Sequence, residues 1–118
     1  MTSYDLGLIG QRKAVEFLQK NMYSIMHENY RIKDGEIDII AEKDNIVVFV
    51  EVKLRRNLSF GLPMEAVNIR KQRKITKVAK YYISQYNLYN TDFRFDVIEV
   101  YLNKGQATVN HIQNAFWN

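Results

Sequence analysis

The chain contains no cysteine, one proline and two histidines among its 118 residues. Without a thiol it has no disulfide framework, no thiolate metal site and no cysteine nucleophile, a composition suited to a reducing compartment. The cytoplasm is the expected location. His27 and His111 have no partner at ligand spacing, which argues against a zinc centre or a histidine triad. Apart from Pro63 nothing punctuates the middle of the chain, and there is no Gly/Ser/Pro linker, repeat or low-complexity tract. A single domain over residues 1–118 is expected. The N-terminal MTSYDLGLIGQRK lacks the basic and apolar regions of a signal peptide, and no apolar run reaches the roughly 18 residues of a membrane span. No membrane partner is expected.

What is present suffices for a core, since 47% of residues are hydrophobic and 13% aromatic. Seventeen Lys and Arg against thirteen Asp and Glu give a net charge of +4, which matters only if it is gathered on one surface. Gln11, Ala14, Val15 and Leu18 share a face at helical spacing, so Leu8 to about Lys20 reads as a helix. Tyr23 to about Ile32 reads as extended, and Ile37 to Ala41 alternates against Glu36, Asp38 and Glu42 as a strand. Ile75, Val78, Ala79, Tyr82 and Ile83 form the apolar stripe of a second helix that Asn68 can cap. Phe93 to Leu102 is a strand, and the turn Asn103-Lys104-Gly105 leads to a last strand from Gln106 to His111. The order is helix, strands, helix, strands, an α/β pattern.

One run is out of character. VVFVEVK, Val47 to Lys53, is apolar enough for a strand covered on both faces, yet it carries Glu51 and Lys53. A charge withdrawn from water needs compensation. Asp44-Asn45 is a plausible two-residue turn before it, because both residues tolerate positive φ. Counting outward from Lys43 opposite Ile46 pairs Ile40 with Phe49, Asp38 with Glu51 and Glu36 with Lys53. Opposed residues have Cβ atoms roughly 4.5–5.5 Å apart, where like charges repel and a cation between them removes the penalty. Lys53 shares the face of Glu51 by period-two alternation. Oxygen ligands without His or Cys select Mg²⁺ or Mn²⁺, which commonly pairs one or two carboxylates with water and substrate phosphate. Such a site suits hydrolysis of a nucleic-acid backbone, with Lys53 orienting the attacking water or stabilising developing charge. The same charges also suit an ordinary ion cluster at a sheet edge. A three-residue loop, Lys43 to Asn45, would send Asp38 and Glu51 to opposite faces.

GEIDIIA (Gly35–Ala41), VFVEVK (Val48–Lys53), FGLPMEAV (Phe60–Val67), RKQRKI (Arg70–Ile75) and RFDVIEV (Arg94–Val100) together closely resemble the YraN-like family of small bacterial proteins. The resemblance covers nearly the whole chain. That family is similar to the PD-(D/E)XK nuclease superfamily, whose restriction-endonuclease-like core is a mixed central β-sheet flanked by helices, comparable in size to archaeal Holliday-junction resolvases. The resemblance implies that Asp38, Glu51 and the main-chain carbonyl of Val52 bind Mg²⁺ or Mn²⁺, and that Lys53 serves the attacking water. It also implies a departure: the first helix of the family pattern carries an acidic residue where this chain has Gln11. An amide oxygen can ligate a hard dication but brings no charge, so Gln11 is a candidate ligand of a weaker site.

The second helix carries Arg70, Lys71, Arg73, Lys74, Lys77 and Lys80 mostly opposite its apolar stripe, and Arg55 and Arg56 follow the candidate site. Arg55, Arg56, Arg70, Arg73, Lys74 and Lys77 are therefore candidate phosphate contacts of a nucleic-acid surface. Glu65 either borders the site or is a helix N-terminal charge, and Gly61 and Pro63 shape its loop. Asp96 is expected to pair with a Lys or Arg, and Tyr81, Tyr82, Tyr86 and Tyr89 to close a core. The leading expectation is a metal-dependent nuclease acting on DNA, with branched and single-stranded DNA as the candidate substrates. The alternative is a nucleic-acid-binding module that keeps the fold while Gln11 has cost it catalysis. DNA is the expected partner, and a homodimer of the chain stays open.

Overall fold

Thr2 and Asp5 cap each other's main chain at the head of the first helix: the Asp5 amide donates to Thr2 Oγ1 at 3.1 Å, and the Thr2 amide donates to Asp5 Oδ2 at 3.0 Å. This capping box starts α1 at Ser3 rather than Leu8, and α1 then runs to Lys20 (Ser3–Lys20). The computed structural model describes residues 2–55 and 67–116. The expectations for Arg56, Gly61, Pro63 and Glu65 lie outside the described residues.

The remaining elements follow as β1 (Ser24–Ile32), β2 (Gly35–Lys43), β3 (Ile46–Arg55), α2 (Ile69–Gln85), β4 (Asp92–Asn103) and β5 (Gln106–Ile112). They form one five-stranded mixed sheet in the order β1-β2-β3-β4-β5. All neighbours are antiparallel except β3 and β4, which run parallel, with α2 as the crossover between them. The β2–β3 hairpin turns on Asp44 and Asn45 at φ 53° and 63°, the left-handed pair that a two-residue turn requires. Its register is the expected one from Lys43↔Ile46 through Ile40↔Phe49. Asn68 caps α2, its Oδ1 accepting the Lys71 amide at 2.9 Å. Helix, three strands, helix and two strands make a mixed α/β fold compatible with a restriction-endonuclease-like core.

Each helix covers one face of the sheet. Ala14 and Leu18 of α1 pack with Ile39, Ala41, Val48, Val50, Ile98 and Val100. Ile75, Val78, Ala79 and Tyr82 of α2 pack with Ile37, Ile40, Val47, Phe49 and Val97. Burying each large side chain of these sets contributes roughly 1.5–3 kcal/mol. Gly35 permits the close seating of α2, since a Cβ there would lie 3.2 Å from Val78 Cγ2. Among the described residues no helix is long and apolar enough to cross a membrane.

Two sequence expectations need correction. Strict alternation puts Ile37 and Ile39 on one face, but Ile37 packs under α2 and Ile39 under α1. The strand turns over at Asp38, opposite Asn29, whose φ of 53° breaks the regular pleat of β1. Of the four tyrosines expected in the core only Tyr82 is buried; Tyr81 lies off the Ile75–Val78–Ala79 stripe, Tyr86 continues it but sits at the helix C-cap, and Tyr81, Tyr86 and Tyr89 are exposed. Asp96 is fully buried and paired as expected, holding Arg94 through two bonds of 2.9 Å and His111 Nε2 at 2.7 Å.

Candidate active site

The site lies where β2 leaves β3. The ladder between them ends at Ile39↔Val50, so the continued pairs expected at Asp38–Glu51 and Glu36–Lys53 are not formed by the main chains. Asp38 fills the gap instead, its Oδ2 accepting the Val52 amide at 2.8 Å. In an antiparallel ladder the N–H and C=O of one residue leave the strand on the same edge. The Val52 carbonyl therefore faces the same gap as its amide.

On β3, Val47 and Phe49 belong to the α2 face, and period-two alternation puts Glu51 and Lys53 there too. Glu51 is buried, with Lys71 Nζ of α2 in ion-pair contact with its Oε2. The Asp38 carboxyl lies close enough to Glu51 for the two to interact electrostatically. Burial first, and then the neighbouring Glu51 carboxyl, push the Asp38 pKa up to about 8, against the smaller opposing effects of the Val52 amide and Lys71. Burial and the Lys71 charge lower the Lys53 pKa, while for Lys71 the contact with Glu51 outweighs burial and raises it. The Lys53 and Lys71 side chains are neighbours, each acting on the other's protonation. Two carboxyls and two amines thus converge, and Glu51 is a common cause acting on Asp38, Lys53 and Lys71.

A cleft of about 420 Å³ opens onto Asp38 and Val52, walled by Tyr4, Leu8 and Gln11 of α1 and by Asn29 and Arg31 of β1. Gln11 reaches this cleft, but its amide Nε2 donates to Glu28 Oε1 at 3.1 Å. Arg55, expected to meet phosphate, turns instead toward the fully buried Glu99, its Nε 3.6 Å from Oε2. Arg70, Arg73, Lys74 and Lys77 are exposed on α2, with Lys77 Nζ 3.3 Å from Asp34 Oδ2.

Sequence reasoning missed Lys71, Glu28 and Glu99 as partners of these groups. The signal for Lys71 was present: Lys71, Ile75, Val78 and Tyr82 follow one another at i, i+4, i+7 and i+11, so this lysine extends the apolar stripe and points at the sheet. Glu28 gave none, because the partner of Gln11 depends on how α1 docks over β1.

Among the described residues no three His, Asp or Glu side chains gather as a metal cage. The available donors are the paired carboxyls of Asp38 and Glu51 and the Val52 carbonyl. These fit Mg²⁺ or Mn²⁺, for which one or two carboxylates suffice when water and phosphate complete the shell. A dication held by these donors would relieve the charge repulsion that contributes to the raised Asp38 pKa.

The sequence profile of Uncharacterised protein family UPF0102 matches residues 10–100, a span that includes Gln11, the whole carboxyl–lysine cluster and the crossover helix. The chain belongs to this family. It is 50% identical over 118 residues to the UPF0102 protein of Caldicellulosiruptor saccharolyticus, covering 98% of this chain and 100% of that one. The UPF0102 protein of Clostridioides difficile strain 630 is 49% identical over 116 residues, with 98% and 100% coverage. That of Dictyoglomus turgidum is 40% identical over 118 residues, again covering 98% and 100%. The UPF0102 name carries no activity, so function is argued from the geometry of Asp38, Glu51, Lys53 and Lys71.

Proposed function

We propose that this UPF0102 protein is a metal-dependent nuclease that hydrolyses phosphodiester bonds in DNA. The observation that carries the reading is the convergence of Asp38, tied to the Val52 amide, with the buried Glu51, its partner Lys71 and Lys53 at an open end of the sheet. A carboxyl pair at the end of a sheet, with Asp38 facing a cleft and its pKa strongly raised, is costly for a fold to keep, and such cost is concentrated at functional sites.

Asp38, Glu51 and the Val52 carbonyl would hold Mg²⁺ or Mn²⁺, which when bound supplies acidification of water and neutralisation of phosphate charge. The Asp38–Val52 hydrogen bond fixes the first carboxylate against the strand that carries the second. Lys53, whose ammonium is already weakened by burial and by Lys71, orients the attacking water and can accept its proton. Lys71, with its charge raised in persistence by Glu51, stays cationic and can meet a non-bridging phosphate oxygen. Arg70 and Lys74 stand beside it along a depression of α2 and suit the flanking phosphates.

The test is incubation of the pure protein with duplex, flap, single-stranded and four-way-junction DNA in Mn²⁺, Mg²⁺ or EDTA. Cleavage dependent on the metal and lost in Asp38→Asn and Lys53→Ala, with binding retained, is expected. A second reading, a nucleic-acid-binding module with weak or no catalysis, draws on the Gln11–Glu28 hydrogen bond and the Lys71–Glu51 ion pair. Under it, DNA binds with strong salt dependence but no substrate is cut in either metal.

A further inference from the structure

We propose that α2 is a track for single-stranded nucleic acid, with phosphates on Arg70, Lys74 and Lys77 and a base stacked on Tyr81. The inference rests on the reading of the site as acting on nucleic acid and names the form of the strand. Arg70, Lys74, Lys77 and Tyr81 follow one another at i, i+4, i+7 and i+11 and share one exposed stripe, away from the buried face of Ile75, Val78 and Tyr82.

Both ends of the stripe are concave. Near the helix start, Arg70, Lys71 and Lys74 line a depression of about 290 Å³, and Lys71 there is the residue paired to Glu51. Further along, Tyr81 lines a depression of about 470 Å³ with Tyr30, Arg31, Asp34 and Gln85. At 1.5 Å per residue, Tyr81 lies about 15 Å along the axis from Lys71, a reach of a few nucleotides from the site. Tyr82 and Tyr86 spend their rings on one another, with centroids 4.7 Å apart, whereas Tyr81 leaves 53% of its surface to solvent. An aromatic ring continuing a cationic stripe pairs the two elements that single-strand binding uses, backbone neutralisation and a stacking platform.

The strand is single because stacking on a side chain needs a base face that a duplex covers with its own neighbours. Lys77 remains available to phosphate, since its contact with Asp34 is an exposed ion pair of little energetic weight.

The test is fluorescence anisotropy in EDTA, where nothing is cut, with a labelled oligothymidylate and a labelled duplex hairpin of matched phosphate number, across a salt series. Tyr81→Ala should weaken the single strand about tenfold, as for the loss of one stacked base, while duplex affinity changes less than about twofold. Its salt slope on the single strand should be unchanged, and Tyr81→Trp should restore affinity. Lys74→Gln with Lys77→Gln should instead flatten the slope, by about 0.7 per lost contact on single strands. Unchanged single-strand affinity in Tyr81→Ala, or equal weakening on both probes, overturns the track while leaving the site reading intact. Absence of salt-sensitive binding by the wild type overturns both. A normal Tyr81 effect without cleavage of any substrate supports the track and removes only the catalysis.

Discussion

Asp38 Oδ2 accepts the main-chain amide of Val52 at 2.8 Å, taking the bond that the Ile37 carbonyl would receive if β2 continued beside β3. One side chain therefore closes the sheet's open end and supplies half of the carboxyl pair. Because the bond needs only an acceptor, the amide of Asp38→Asn can keep it, so the charge of Asp38 can be removed without opening the sheet.

That separation yields a pH prediction for the metal-free protein. Asp38 has a folded pKa pushed up to about 8, chiefly by burial and Glu51, against about 3.9 in an unfolded chain. The native state holds this proton more tightly, so its stabilising contribution is complete below about pH 4 and lost as pH rises toward and through about 8. In EDTA, Asp38→Asn should match or fall below the wild type near pH 5 and exceed it in Tm by several degrees near pH 9. Saturating Mn²⁺ should raise the wild-type Tm most at the alkaline end. Parallel Tm curves for the two proteins from pH 5 to 9 contradict the raised pKa.

Lys71 yields a pair of opposed effects. In Lys71→Ala the buried Glu51 loses its cation, which should cost about 1–3 kcal/mol in EDTA because the lysine is half exposed and its pair partly screened. Removing a positive charge beside Asp38 and Glu51 should at the same time tighten Mn²⁺ binding. Lys53 should become more basic, since the Lys71 charge is the second cause of its lowered pKa, moving the alkaline limb of any cleavage profile upward. Urea unfolding and a Mn²⁺ titration followed by Tm read the first two. If both move in the same direction, Lys71 is not a neighbour of the metal position.

Asp96 should behave as a structural group. Burial alone would raise its pKa, but hydrogen bonds from His111, Arg94 and the Asn114 amide outweigh it and hold the carboxyl below its usual range. The stability this gives is present above about pH 4 and lost as pH falls through the depressed value. Asp96→Asn leaves Arg94 and His111 facing a neutral amide in the interior, at a cost of about 3–5 kcal/mol in urea unfolding at pH 7. DNA affinity measured well below the new midpoint should be unchanged, and a selective loss of binding there would make the cluster functional.

The sequence patterns that proved legible were local ones. Asp44-Asn45 announces its hairpin because few residue pairs accept positive φ at both positions, and the hairpin then sets the register from Lys43↔Ile46 to Ile39↔Val50. The capping pair Thr2 and Asp5 was equally local and went unread, which is why α1 starts before its apolar stripe. What counting could not supply was the geometry of departure. Ile37 and Ile39 occupy different cores because the strand turns over at Asp38, and no alternation pattern encodes that turn. Asp38 and Glu51 meet as expected, yet through side chains where the ladder has ended rather than as a main-chain pair. Tyr81 and Tyr82 are adjacent in sequence and opposite in fate, since one helical step of about 100° separates solvent from core.

Gln11 is the residue on which catalysis and binding readings divide. Its amide nitrogen donates to Glu28 at 3.1 Å, and its side chain lines the cleft that also contains Asp38 and Val52. In Gln11→Glu the donor is replaced by a carboxylate facing another, so the metal-free protein should lose about 1–3 kcal/mol from the broken hydrogen bond and the repulsion. The added charge should also draw a dication, so Mn²⁺ should raise the Tm of the variant more than that of the wild type and accelerate any cleavage. The second substitution Glu28→Gln separates these effects: it should restore the metal-free stability of Gln11→Glu by renewing an amide–carboxylate bond, while leaving the stronger metal response. Thermal unfolding across a Mn²⁺ titration, with a DNA cleavage assay alongside, reads all three proteins. If Gln11→Glu is destabilised without metal, is rescued by Glu28→Gln and responds to Mn²⁺ no more than the wild type, then Gln11 serves only to seat α1 on β1, and its neutral amide has no bearing on whether Asp38 and Glu51 support hydrolysis.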